Sequence, residues 1–261
     1  MPPDGAIGGG QRAAPNLIER LIARERAIIA ACLVGSVALA WWWLMSKARG
    51  PDMDMGGAAM SLSYLSSAAA MWMVMMVGMM LPSAAPMILF YGRFARQGGS
   101  GALGRTALFA SAYLFVWLLF SAAAALGQAA LVTGGHVDRM GLFLGSRTLS
   151  AALLVLASLY QLMPAKRKCL EQCQSPLSFL MRRWRSGTTG ALRLGLIHGL
   201  YCLGCCWLLM LLLFVGGVMN PAWVAGLAAL VLLEKLAPPT LRANVAISLL
   251  LLLGAALLIA A

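Results

Sequence analysis

The sequence predicts an all-α protein, a polytopic transmembrane bundle of about seven helices, and three observations carry that reading. Hydrophobic residues make up 61% of the 261 and charged residues only 11%, which is far too apolar for a water-soluble domain of this length. The apolar residues gather into seven runs near the ~20 residues a helix needs to cross hydrocarbon. None of these runs alternates apolar with polar as barrel strands do, and open strands cannot cross lipid. Lysine and arginine, the third observation, are segregated: sixteen of the twenty fall in the N-terminal tail and in the loops after the second, fourth and sixth runs. That bias puts the N-terminus in the cytoplasm and the C-terminus outside.

Along the chain, residues 1–26 read as a cytoplasmic tail and 27–261 as one transmembrane domain. The opening "MPPDGAIGGGQRAAP" is rich in Gly and Pro and predicts disorder. "NLIERLIARER" predicts a short amphipathic helix on the inner membrane surface. The first span is 27–45. Its Ala38–Ala40 has the small-x-small pattern of a cleavage site, but a long basic segment precedes it and three tryptophans follow. The reading is a retained anchor; cleavage would leave six spans. The outer loop "PDMDMGGAAM" follows, with Met53, Asp54, Met55 and Met60. The second span is 65–91, the third 107–132 and the fourth 148–163. A cytoplasmic loop, 164–193, is the one sizeable piece expected outside the bilayer. The fifth span, 194–218, and the sixth, 221–237, are joined by "MNP" as a tight hairpin, and the seventh is 244–261. The partner implied is the lipid bilayer of a bacterial inner membrane. The net charge of +12 is then mainly a topology signal, and no soluble domain is left to carry a nucleic-acid-binding patch.

Chemistry is concentrated in the fifth span, "LIHGLYCLGCCWLLM" from Leu196. At ~100° per residue, with His198 at zero, Cys202 falls near ~40°, Cys205 near ~−20° and Cys206 near ~80°. The four share about a third of the helix circumference. Thiolate and imidazole suit Cu(I), zinc or iron. Against this stands packing: Cys is a small buried hydrophobe, and "GLYCLGCC" also resembles the small-residue faces that bring membrane helices together. Glu234 in the sixth span is an ionisable residue in an apolar run, costly and usually functional. It lies at the depth of His198 and is expected either to meet it or to pair with Lys235 or Arg193. The second span carries Met71, Met73, Met75, Met76, Met79, Met80 and Met87, in two stripes. Thioethers bind Cu(I) without deprotonation, while the plain alternative is gap filling. Pro82 and Pro86 predict a kink with freed carbonyls. In the cytoplasmic loop, "CLEQC" puts Cys169 and Cys173 on one face of a turn, with Lys166, Arg167 and Lys168 expected to favour their thiolates.

These segments together resemble a bacterial family of predicted metal-binding integral membrane proteins, formally a domain of unknown function. The resemblance rests on "MWMVMMVGMMLPSAAPM" (71–87), "YQLMPAKRKCLEQCQSPLSF" (160–179), "GLIHGLYCLGCCWLLMLLLFVGGVMN" (195–220) and "LLEKLAP" (232–238), and covers most of residues 60–240. It implies metal binding at His198, Cys202, Cys205, Cys206, Cys169, Cys173 and Glu234 without naming the metal. The outer loop of such proteins is often rich in Met, His and Asp; here it has no histidine.

The function expected is binding of a soft metal, Cu(I) ahead of zinc or iron. Met75, Met76, Met79 and Met80 would receive the ion, the Cys/His stripe would hold it, and Cys169 with Cys173 would exchange it. The metal would be transported or delivered to a metallochaperone or metalloenzyme. No ATP-binding motif is present, so the chain is not by itself a pump. Two rivals stay open. One is a thiol–disulfide electron carrier between Cys169/Cys173 and residues 202–206, although a bridge within one helix is strained. The other is a non-catalytic assembly subunit of a membrane metalloenzyme, whose cysteines only pack.

Overall fold

The computed structural model describes residues 17–49, 60–97, 101–137, 142–236 and 241–260, and every extended element among them is a helix. In order these are α1 (Leu17–Arg49), α2 (Leu62–Gln97), α3 (Ala102–Thr133), α4 (Arg147–Leu162), α5 (Pro164–Gln174), α6 (Pro176–Arg183), α7 (Gly187–Leu211), α8 (Leu213–Gly216), α9 (Pro221–Leu236) and α10 (Leu241–Ala260). All seven apolar runs fold as helices. Five stretches, in α1, α2, α3, α7 with α8, and α10, are long and apolar enough to cross a membrane. A sixth is added if α4 and α5, bent by 67° at their junction, count as one broken span. α9 has only 16 residues.

Two regions outside the expected spans are helical. The amphipathic helix of the tail and the first span are one continuous helix of 33 residues, because no proline or glycine pair separates them. Residues 164–193 form α5, α6 and the first turns of α7, and Pro176 starts a helix of its own. Proline at the first position of both α5 and α6 presets the helical backbone where no donor is needed. Lys166, Leu170, Phe179 and Leu180 of this region are buried, so it is part of the core.

α2, α3 and α7 form the centre, with α1 against α2, α5 against α7, α9 against α2, and α10 paired with α4. α3 and α7 approach closely because Gly195 and Gly199 face α3. A Cβ on Gly195 would lie 2.3 Å from the carbonyl oxygen of Phe109, and one on Gly199 would lie 2.8 Å from Val116. Small residues four apart are the means by which membrane helices pack on backbone contacts. α2 stays helical through Pro82 and Pro86. Pro82 has no N–H for the carbonyl of Gly78, and Trp41 Nε1 of α1 donates to that oxygen instead at 3.3 Å. Between α2 and α3, Trp72 Nε1 donates to Gln128 Oε1 at 2.8 Å and Gln128 Nε2 donates to Tyr64 at 2.9 Å, so these buried polar groups are satisfied.

Candidate metal centre

The centre lies where α7 faces α2, α3, α5 and α9. Cys202, Cys205 and Cys206 are all buried on the stripe that their spacing describes. The thiols of Cys205 and Cys206 each donate to the carbonyl of Cys202 at 3.0 Å, the back-bonding to the preceding turn that short polar side chains make in a helix. The bend between α4 and α5 turns α5 against α7. This packs α5 along α7 and sets Cys169 Sγ against Gly204. Met80 of α2 adds a sulfur from another helix, its Sδ 3.8 Å from Cys206 Sγ. Tyr113 of α3 closes the side, its hydroxyl 3.2 Å from Cys202 Sγ and 3.3 Å from the carbonyl of Met80.

One cation stands among these sulfurs. Lys235 of α9, itself buried, donates to Cys202 Sγ and Ser83 Oγ at 2.9 Å each, and its Nζ lies 3.8 Å from Met80 Sδ. Among the described residues, no three His, Cys, Asp or Glu side chains are gathered into a ready-made ion-binding group. Two of the sulfurs, Cys202 Sγ and Met80 Sδ, instead meet an ammonium.

His198 is one turn before Cys202, buried, and sleeved by aromatic rings. The centroids of Phe179, Tyr113 and Phe109 lie 5.5, 5.6 and 6.1 Å from its own. Its Nδ1 is buried without a hydrogen-bond partner, an arrangement that costs about 1–3 kcal/mol and leaves a nitrogen ready for a ligand. Cys169, one turn before Cys173, rests against Gly204, where a Cβ would come within 2.9 Å of its Sγ.

Glu234 is placed differently from either expectation. It meets neither His198 nor Lys235 nor Arg193. Lys166 Nζ donates to both of its carboxylate oxygens at 2.9 Å, and Gln161 Nε2 donates to Oε1 at 2.8 Å. Lys166 is thereby committed, and Arg167 and Lys168 are exposed, so the cation beside the thiols is Lys235 and not the basic run. Neighbours on a helix do not face one another; that rule, applied to Glu234 and Lys235, separates them without any structure. Met71, Met75, Met76, Met79 and Met87 are buried along α2. Met73 receives Ser121 Oγ at 4.0 Å. Met60 is exposed, while Met53, Asp54 and Met55 lie outside the described residues. Tyr113 and Ser83 are contributors the sequence reading missed, having no motif around them.

The donor set of thiols, one thioether and an unpartnered imidazole nitrogen is soft and fits Cu(I). A family model described as "PpoB2: Copper chaperone" matches residues 69–258. No curated protein and no solved structure matches the chain.

Proposed function

The chain belongs to this copper chaperone family, and from that premise we propose that it is an inner-membrane carrier that holds Cu(I) as cargo and hands it to a metalloprotein. The observation that carries the proposal is the meeting of Cys202 and Cys206 of α7 with Met80 of α2. A site assembled from two helices has what a single helical stripe lacks, ligands from more than one direction. In this reading the N-terminus is cytoplasmic, following the distribution of basic residues. α4 with α5 makes a broken span, and α9 pairs with α7 as a short re-entrant or spanning helix. Thiols from α7 and α5 bind the ion. Met80, with Met75, Met76 and Met79 behind it, supplies weak thioether positions along the approach. His198 Nδ1 is a further donor one turn away, and Cys169 is an exchange position on α5. Non-helical breaks at such a depth are tolerated where they are packed in protein.

The test is metal content. Protein purified under reducing, anaerobic conditions is expected to carry or take up about one Cu(I) per chain, and a Cys202→Ser/Cys206→Ser variant of equal stability is expected to lose it. A parent protein that refuses Cu(I) under those conditions ends the proposal. One observation favours a second reading, thiol–disulfide exchange. Cys173 and Cys202 sit on different helices, so a bridge between them avoids the strain of one within a helix turn. In that chemistry the two thiols become a disulfide while a partner's disulfide is reduced to two thiols. A trapped mixed disulfide at Cys173 or Cys202, with no copper uptake, would select it.

A further inference from the structure

We propose that the Lys235 ammonium is a stand-in for the cargo: it fills the sulfur cluster when copper is absent and exchanges one-for-one with a monovalent soft cation. This rests on the copper-carrying reading above.

The geometry carries the argument. An ammonium has three N–H groups and no acceptor. At Lys235 they are met by Cys202 Sγ, Ser83 Oγ and Met80 Sδ. Two of these three are the soft atoms that would ligate copper. A buried charge needs a counter-charge, and the carboxylate next to Lys235 in sequence, Glu234, is committed to Lys166 at 2.9 Å. The thiol-side partner of Lys235 is Cys202 Sγ at 2.9 Å, itself 3.2 Å from the Tyr113 hydroxyl. A Cu(I) ion brought to the same sulfur would sit against the ammonium, and the two cations cannot stay together at such a separation, because like charges repel strongly there.

The chain also gives the ammonium somewhere to go. Lys235 is in the last turn of α9, and its flexible four-carbon stem can carry the charge toward the end of the helix while the backbone stays in place. Exchange of +1 for +1 leaves the charge of the core unchanged; a divalent ion would add one charge, so the device selects monovalent soft cations. On hand-off the ammonium returns to Cys202 Sγ and Met80 Sδ as copper leaves them.

The experiment measures Cu(I) affinity of the full chain in detergent by competition with a chromophoric Cu(I) chelator, for the parent and for Lys235→Gln. In parallel, acylation of Lys235 by a small amine reagent is followed by peptide mass spectrometry before and after Cu(I) loading. Lys235→Gln is expected to bind Cu(I) on the order of tenfold more tightly or better, and Lys235 of the parent to pass from protected to reactive on loading. Equal or weaker binding by Lys235→Gln overturns the exchange while leaving the carrier reading intact, and so does a lysine that remains protected in the loaded parent. Absence of binding in both proteins overturns the two together. Should Lys235→Gln fail to fold, the labelling of the parent decides.

Discussion

Replacing Lys166 with methionine tests whether Glu234 anchors the core or serves the metal. The side chains of Lys166 and Glu234 are 1% and 2% exposed, and Lys166 Nζ lies 2.9 Å from each carboxylate oxygen. Lys166→Met leaves Glu234 as a buried carboxylate whose remaining partner is the amide of Gln161. Removing one member of such a pair costs about 3–5 kcal/mol, because the other charge stays desolvated and uncompensated. Replacing both members with apolar residues of similar volume is far milder, and can even be neutral. Here the double variant Lys166→Met/Glu234→Leu also deprives Gln161 of both its partners, Lys166 at Oε1 and Glu234 at Nε2, while each single variant leaves one of these groups unmet as well as the stranded charge, at about 1–3 kcal/mol per group. The expected order is therefore parent, then the double variant, then either single. At about 2–4 °C per kcal/mol for a chain of this size, the singles should melt on the order of 10 °C below the parent by circular dichroism in detergent. A single variant that melts with the parent, or a double variant worse than both singles added together, would refute the reasoning. Copper content per folded molecule supplies the second reading. It should be preserved in the double variant, and its selective loss would make Glu234 a ligand instead.

Two further outcomes follow from the packing. Gly195→Leu should destabilise the chain by about 1–3 kcal/mol or prevent assembly, because even a Cβ there lies 2.3 Å from the backbone of α3; an unchanged melting temperature would mean that α3 and α7 do not touch at this point. Cys173→Ser should weaken Cu(I) binding about tenfold or more in a chelator competition, whereas Cys32→Ser on the exposed side of α1 should leave it unchanged; equal effects would remove α5 from the site.

The helices were legible because a run of about 20 apolar residues is the strongest signal a sequence carries, and the placement of Cys202, Cys205, Cys206 and His198 on one buried stripe was legible from helical periodicity alone. The folding of residues 164–193 into the core was not. Its composition is polar and basic, and what buries it is distant in sequence: Glu234, which meets Lys166, is 68 residues away. The same distance hid Lys235. Beside Glu234 in the sequence it looks like that residue's partner, yet adjacent helical positions diverge, and each charge finds its partner on a different element. Pro82 shows the intermediate case. The freed carbonyl was predictable from the missing N–H; that Trp41 of another helix would answer it was not.

The sulfur cluster is also dispersed in time. Met80 and Lys235 are 155 residues apart, and α5 is made before the α7 it packs against. During synthesis the thioethers emerge first, the thiols of α5 and α7 next, and the ammonium that meets Cys202 last. A ribosome-bound chain that has not yet made α9 therefore carries the thiols with no cation beside them. It is open to any soft metal or oxidant it meets, and becomes self-contained only when α9 has been made. Peptides cut from α7 would share that incompleteness, whatever their affinity for copper.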